Sequence, residues 1–293
     1  CLNQSGKTND ALQAYRMAKL TMPKELQWQV GEATALMELG SYAEAASIYE
    51  SVLKDDPERV GIWVNLANIR LQQGESVQAI ADLEVARRLG GLDPIAMITL
   101  GHLYLNEELS DQAMKCYEKS LEDPEAVAIS QLSKAVDYLL QYRLWSPAEK
   151  LSSDIKAVVY LKDKIDKDDN INHRFKRADA IIQMNVGDRD QAAKRLENII
   201  GKDPLDGEVL LMLSEYFLGD KETEKGLMLL EQASQVQGFT ARSERRLGEV
   251  YVSRGDYKKA LSALKKSQNL EPNKALEKYI NSVERLSKLY ERN

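Results

Sequence analysis

The sequence is poor in cysteine, so disulfide bonds do not define its fold. Its 293 residues include 2 cysteines, Cys1 and Cys116, which lie far apart and suggest no disulfide framework. Cys116 falls beside core positions of a predicted helix, where cysteine acts as a small apolar filler. Two cysteines are too few to indicate the redox compartment.

Proline, glycine and long apolar runs are scarce as well. The 7 prolines and 16 glycines are few for a chain of many strands and tight turns. No apolar run approaches the roughly 18 residues that cross a bilayer, and no signal-peptide pattern is visible. The formal charge of −6 is made of both signs spread along the chain, whereas nucleic-acid binding needs a concentrated basic patch. We therefore predict no nucleic-acid partner and no transmembrane segment.

The residue patterns that carry catalysis are also missing. The two histidines, His102 and His173, stand in no metal-ligand pattern, and no Gly-x-Ser-x-Gly nucleophile motif occurs. Residues Gly6-Lys7-Thr8 resemble the end of a phosphate-binding loop, but Cys1 replaces the leading glycine and no strand precedes it. We predict that the chain is not an enzyme and has no catalytic residues, metal or cofactor.

What the sequence does contain is an internal repeat of 34 residues. Hydrophobic residues make up 43% and charged residues 29%, a mixture that buries a core and stays soluble. Three series keep the 34-residue spacing: Ala11, Ala45, Ala79 and Ala113; Tyr15, Tyr49, Leu83 and Tyr117; and Leu196, Leu230 and Leu264. So many aligned positions exclude chance.

Each period is typical of two amphipathic helices. In residues 60–93, the positions of Trp63, Leu66 and Ala67 fit one face of a first helix. Gly74 ends that helix, and Ala79 and Leu83 lie on the inner face of a second. The small alanine lets the two backbones approach closely.

These residues resemble the tetratricopeptide repeat family. A segment matching the family pattern closely contains Leu247, Gly248, Tyr251, Gly255, Tyr257, Ala260 and Pro272. The resemblance implies an all-α fold, a right-handed α-solenoid of stacked helix-turn-helix repeats. We place seven units at about 26–59, 60–93, 94–125, 129–162, 173–206, 207–240 and 241–274.

The domain organisation follows from these units. Residues 1–25 form a half repeat, 26–162 an N-terminal block whose fourth unit is irregular, and 173–274 a C-terminal block. The polar stretch at 163–172 is predicted to be a loop, either a hinge or a plain insertion. Residues 275–293 are predicted to form a capping helix. The half repeat suggests either sequence upstream of Cys1 or a lipid-modified Cys1, and it offers a surface for homo-oligomers.

The family resemblance implies a partner-binding groove along the first helices. In the first three units the positions facing that groove are mostly apolar, which favours an extended or helical peptide with apolar anchors. Some of these residues could instead be core. They are Val30, Thr34, Met37, Val64, Asn68, Leu71, Ile98, His102 and Leu105.

The later units differ, because basic residues stand at or beside their groove positions. These candidates for carboxylate or phosphate contacts are Lys176, Arg177, Arg242, Arg245 and Arg246. Family members that bind chaperone tails use a Lys, Asn and Arg clamp, which this chain matches only in part. The alternative is that Glu208, Glu215 and Glu249 neutralise the arginines in a solvated network.

The sequence thus predicts a scaffold that binds a peptide or partner subunit in a concave face. The alternative is an accessory repeat region of a larger enzyme or of a bacterial envelope or secretion assembly. The compartment stays open between cytoplasm and periplasm.

Overall fold

The computed structural model describes residues 2–220 and 222–290. Within that part of the chain there are seventeen helices and no strand. The helices are α1 (Leu2–Thr21), α2 (Leu26–Glu38), α3 (Tyr42–Asp55), α4 (Val60–Gln72), α5 (Ser76–Arg88), α6 (Pro94–Asn106), α7 (Ser110–Ser120), α8 (Ile129–Gln141), α9 (Trp145–Ala157), α10 (Val159–Lys167), α11 (Asp169–Val186), α12 (Arg189–Ile200), α13 (Gly207–Gly219), α14 (Thr223–Ser234), α15 (Thr240–Ser253), α16 (Tyr257–Leu270) and α17 (Lys274–Tyr290).

The helices belong to two compact units. Unit 1 is Cys1–Asn172 and unit 2 is His173–Asn293. In unit 1, α2–α3, α4–α5, α6–α7 and α8–α9 are successive hairpins whose two helices pack together. In unit 2, α13–α14 and α15–α16 are hairpins of the same kind, and α17 packs on α16. The predicted all-α class of stacked helix-turn-helix repeats is confirmed. No helix in the described ranges is long and apolar enough to cross a membrane.

The hairpins close because a glycine or alanine on one helix faces a large side chain on another. Ala45, Ala79 and Ala113 are completely buried at the 34-residue positions. A Cβ atom added at Gly101 would lie 2.5 Å from Cε1 of Tyr117, so any larger residue there would displace that ring. The same relation holds in unit 2, where a Cβ at Gly248 would lie 2.4 Å from Cγ of Leu264.

The turns between the paired helices use a left-handed residue at the repeat spacing. Gly40 and Gly74 have φ angles of 80° and 79°, a region in which glycine carries no steric cost. Glu108, a further 34 residues on, adopts φ 60° without being glycine. The left-handed backbone at this position of the repeat is therefore kept even where the residue is not glycine.

The predicted loop at 163–172 is wrong. Helix α10 ends at Lys167 and α11 begins at Asp169, so the segment is helical on both sides of Asp168. Leu161 and Ile165, one helical turn apart, are buried, and α10 packs on α8 and α9. The carboxylate of Asp168 accepts hydrogen bonds from the backbone N–H groups of Asn170 (3.0 Å) and Ile171 (3.1 Å), which starts α11. The polar run is a helix boundary, and a second boundary at Val158 separates α9 from α10.

The two ends of the array behave differently. Helix α1, predicted as half a repeat, packs on α2, with Leu12 buried between them. Helix α17 covers α16 with Leu276, Ile280 and Val283. Cys1, and with it the predicted lipid anchor, lies outside the described residues. Homo-oligomer formation through α1 stays a prediction.

A polar contact joins each of six repeat units to the segment that follows it. It starts from the twenty-fifth residue, counting from residues 26, 60, 94, 173, 207 and 241. The contacts are Glu50 with Arg70 (3.4 Å), Glu84 with Tyr104 (2.7 Å), Glu118 with Lys150, Glu197 with Lys225 (2.6 Å), Glu231 with Tyr251 (3.3 Å) and Lys265 with Glu284 (2.6 Å). We call this series the inter-repeat contacts. It fixes the register of neighbouring hairpins.

Shortening Leu161 tests whether α10 is an integral helix of unit 1. The side chain is 0% exposed, so Leu161→Ala should lower the free energy of unfolding by about 2–4 kcal/mol. All three tryptophans, Trp28, Trp63 and Trp145, lie in unit 1, so urea unfolding followed by tryptophan fluorescence reports this unit. The exposed neighbour Lys162→Ala is the control and should change the value by less than about 0.5 kcal/mol. Equal effects of the two substitutions would mean that α10 does not pack as described.

Candidate partner-binding face

In unit 1, tyrosines on the second helix of a hairpin place their hydroxyl groups beside residues of the first helices. The Tyr49 hydroxyl lies 2.8 Å from Oγ1 of Thr34 on α2 and accepts a hydrogen bond from Nδ2 of Asn65 on α4 at 3.0 Å. Burial raises the pKa of Tyr49. The ring fills the core while its polar end ties two first helices together.

Tyr117 makes the corresponding contact one step further along the chain. Its hydroxyl lies 2.7 Å from Nδ1 of His102 on α6, and the two ring centroids are 5.6 Å apart. The other side of the His102 ring stacks on Tyr138 of α8, with centroids 4.4 Å apart and an interplanar angle of 28°. Burial, with a smaller effect of Lys134, lowers the pKa of His102 to about 4, so the imidazole is neutral at pH 7.

Two aromatic rings of this group reach the surface. Tyr138 is 37% exposed and Tyr142, one turn later on α8, is 40% exposed. The Tyr142 hydroxyl donates a hydrogen bond of 2.9 Å to Oδ1 of Asn106 at the end of α6. We call His102, Asn106, Tyr138 and Tyr142 the aromatic patch. The Tyr138 ring is held by stacking on His102, and the Tyr142 ring is held by the hydrogen bond of its hydroxyl, so the two rings present an apolar surface with polar edges.

The nine predicted groove residues differ from one another in how far the structure buries them. Val30, Thr34, Met37, Val64, Leu71 and His102 are partly buried, and Asn68 is exposed. Ile98 and Leu105 are 3% and 1% exposed, so the prediction that they line an open groove is wrong. The reason is that α6 packs directly against α8. This contact buries positions on the face of α6 that the family pattern assigns to the groove.

Sequence reasoning missed Tyr138 and Tyr142. The fourth unit keeps the repeat alanine as Ala148, but it has Arg143 where the first two units have glycine, and the sequence analysis assigns groove positions only in the first three units. A usable signal was present, because two tyrosines four residues apart share one face of a helix.

The basic candidates of unit 2 are mostly neutralised. Arg246 donates to both carboxylate oxygens of Glu215, at 2.7 and 2.9 Å, and to Glu249 at 3.1 Å, and Arg245 lies 3.9 Å from Glu249. Arg177 donates to the carboxylate of Asp206 and, at 3.3 Å, to Glu208. The alternative, that acidic neighbours neutralise the arginines, is therefore right for these three.

The Arg177 pair is structural. Asp206 accepts from the backbone N–H of Val209 at 3.1 Å and so caps α13. Burial alone would raise the pKa of Asp206, but the hydrogen bond and charge of Arg177 hold it below its ordinary value. Lys176 and Arg242 remain exposed, and neither has an ion pair among the described residues.

Cys116 is buried in unit 1. Burial raises the pKa of its thiol to about 12, so the group is protonated and unreactive at neutral pH. It acts as the small apolar filler that the sequence predicted.

Comparison with known families agrees with the repeat. Two models described as tetratricopeptide repeat match the chain, one at residues 30–94 and the other at 95–122 and 246–274. Within these matched residues the chain therefore contains tetratricopeptide repeats. Solenoids of this class offer extended surfaces to protein partners, which supports a protein-interaction scaffold in general terms.

Curated relatives are similar at low identity. The chain is 21% identical over 257 residues to human DnaJ homolog subfamily C member 3, an alignment covering 87% of this chain and 45% of the relative. It is 24% identical over 240 residues to the peroxisomal targeting signal receptor of Saccharomyces cerevisiae, covering 81% and 33%. The chain thus spans less than half the length of these relatives.

Solved structures share the fold. A tetratricopeptide repeat protein from Parabacteroides merdae matches with a TM-score of 0.60 and 17% identity, covering 88% of this chain and 98% of the other. PilF of Pseudomonas aeruginosa matches with a TM-score of 0.53 and 16% identity, covering 76% and 96%. At these identities the likeness concerns the fold alone.

The pKa of His102 makes the stability of unit 1 depend on pH. Its value of about 4 in the folded state lies below the ordinary 6.5, so the unfolded chain binds the proton more tightly. The contribution of neutral His102 is complete above about pH 6.5 and is lost as pH falls towards 4, by at most about 3 kcal/mol. Urea unfolding followed by tryptophan fluorescence at pH 7 and pH 4.5 should therefore show a larger acid loss for wild type than for His102→Gln.

A direct readout is available because the chain has only 2 histidines. Proton NMR should show one imidazole that titrates near pH 4, and that signal should disappear in His102→Gln. An imidazole at position 102 titrating near 6.5 would contradict the buried, stacked arrangement.

Proposed function

We propose that this protein is an interaction scaffold that binds an extended or helical segment of a partner along the first helices of unit 1. The aromatic patch is the anchor of this surface. The partly buried Val30, Thr34, Met37, Val64 and Leu71 and the exposed Asn68 extend it towards the N-terminus. The observation that carries the proposal is the pair of surface rings, Tyr138 and Tyr142, which are more than one-third exposed yet fixed by polar and stacking contacts.

Fixed aromatic side chains favour binding for an entropic reason. A mobile side chain loses about 0.5–1.5 kcal/mol of conformational freedom when a partner immobilises it. Tyr138 is already stacked on His102, and Tyr142 is already bonded to Asn106, so part of this cost is met during folding. Tyrosine also provides a large apolar area with a polar edge, which is why it is enriched among residues that dominate binding energy.

The chemistry of the surface suggests the kind of segment it takes. His102 is neutral, and the other members of the patch are one amide and two phenols, so the patch itself carries no charge. The charge of Lys134 lies close enough to contribute to lowering the pKa of His102. A ligand with apolar side chains and backbone groups available for hydrogen bonding fits it best. The general role agrees with the presence of tetratricopeptide repeats and with a relative that is named a receptor.

The test is a selection from a displayed peptide library, followed by measurement of the selected peptides in solution. Tyr138→Ala combined with Tyr142→Ala should weaken their binding by about tenfold or more, because truncating such anchors costs at least 1–2 kcal/mol. Fluorescence anisotropy with labelled peptide measures the dissociation constant of each variant.

Tyr279 offers a matched control. It is 37% exposed, as Tyr138 is, but lies on α17 of unit 2. Tyr279→Ala should leave the dissociation constant within about twofold of wild type. If Tyr279→Ala weakens the peptides as much as the double substitution does, the aromatic patch is not the anchor and the proposal fails.

A further inference from the structure

Unit 2 contains a second concave feature, formed between α11 and α12. A cavity of ≈ 390 Å³ is lined by His173 and Lys176 from α11, by Arg195, Asn198 and Ile199 from α12, and by Lys202 just after it. We call these residues the basic slot. Asn198 and Ile199 lie three and four residues after Arg195, which places the α12 members on one face of that helix. All of them belong to unit 2 and none belongs to the aromatic patch.

The charges of the slot are unbalanced. Lys176, Arg195 and Lys202 are exposed cations, and among the described residues none of the three has an ion-pair partner. One carboxylate, that of Asp179, also lines the cavity. This differs from Arg177 and Arg246 in the same unit, whose charges are matched by acidic neighbours. A surplus of positive charge is unusual in a chain whose net charge is −6.

The walls between these charges are mainly apolar. Ile199 is buried at the back, and the long stems of lysine and arginine lay methylene groups along such surfaces. His173 also lines the slot, but its Nε2 atom is enclosed by protein and is not accessible to a ligand there.

The size of the slot indicates what kind of ligand it can hold. Its volume falls within the range of small-ligand sites. A single small anion would meet the cations but leave the apolar wall wet. A ligand that carries an apolar side chain next to a carboxylate would satisfy both.

We propose that the basic slot is a second docking site, and that it takes an acidic segment of a partner protein in which an apolar side chain stands between carboxylates. The apolar side chain enters against Ile199, and the flanking carboxylates meet Lys176 and Lys202. Charge complementarity selects this ligand, since three unpaired cations surround an apolar wall. The site does not rest on the function proposed for the aromatic patch.

The experiment uses the full chain and a fluorescein-labelled peptide with two leucines between glutamates. Saturable binding that weakens as the salt concentration rises is expected. A peptide with glutamine in place of glutamate, or with serine in place of leucine, should bind at least about tenfold more weakly. Inorganic phosphate at millimolar concentration should not displace the labelled peptide.

Paired substitutions locate the site. Lys176→Glu with Lys202→Glu should raise the dissociation constant by about tenfold or more. Lys194→Glu with Lys258→Glu makes the same change in net charge at exposed lysines of unit 2 outside the slot, and should raise it less than about threefold. Tyr138→Ala with Tyr142→Ala should leave it unchanged, which separates this site from the aromatic patch. Circular dichroism checks that each variant keeps its helices.

Three results would overturn the proposal. The first is no saturable binding of the acidic apolar peptide to wild type. The second is an equal loss in both paired lysine variants, which indicates attraction by net charge alone. The third is displacement by phosphate together with equal binding of the serine peptide, which indicates a simple anion site.

Discussion

The close approach of paired helices, with glycine or alanine of one against a large side chain of another, is the constraint on which the rest of the structure depends. Gly101 and Tyr117 show its consequence most clearly. With no Cβ at position 101, the Tyr117 ring lies fully buried against α6, and its hydroxyl emerges beside His102. A buried phenol needs a hydrogen-bond partner, so the core contact fixes the histidine, and the histidine in turn fixes the Tyr138 ring by stacking. The surface chemistry of unit 1 is thus set by packing in its interior.

The inter-repeat contacts set the register of neighbouring hairpins but add little to the stability of the fold. Most of their ion pairs lie at the surface, where such a pair contributes about 0–1 kcal/mol. Their position is more informative than their strength. In six repeat units, the residue at the same position of the repeat contacts the segment that follows in the chain. Where the acid changes to Lys265, the partner changes to Glu284, so complementarity is kept while the signs are exchanged. Tyrosine replaces the cation opposite Glu84 and Glu231, which shows that a hydrogen-bond donor is sufficient. A one-turn slip of a hairpin would break these contacts together.

The sequence predicted most of the hairpins because the repeat constrains several positions at once. Gly40, Ala45 and Tyr49 are each weak signals, but together they define the phase of a unit. The prediction failed where that redundancy is lost. At 163–172 the charged run from Asp166 to Asp169 favoured the prediction of a loop. Leu161 and Ile165, however, have helical spacing and are buried. Ile98 and Leu105 failed for another reason: the family pattern assigns a face to the groove, whereas the amount of that face covered by α8 depends on tertiary packing. No single-chain pattern encodes that contact.

The same limit explains why the binding chemistry had to come from the structure. A list of basic residues in unit 2 does not distinguish Arg177, whose charge is matched by Asp206, from Lys176, which has no such partner. Nor does a lone histidine in the sequence reveal that burial keeps it neutral. Once these states are known, the two candidate surfaces differ in kind. The aromatic patch acts through shape and neutral hydrogen bonds, so salt affects it little, whereas the basic slot acts through exposed charge that salt screens. A partner that used both would bind more tightly than its acidic segment alone, and salt would weaken the two by about the same factor, because the aromatic patch adds binding energy that salt does not screen.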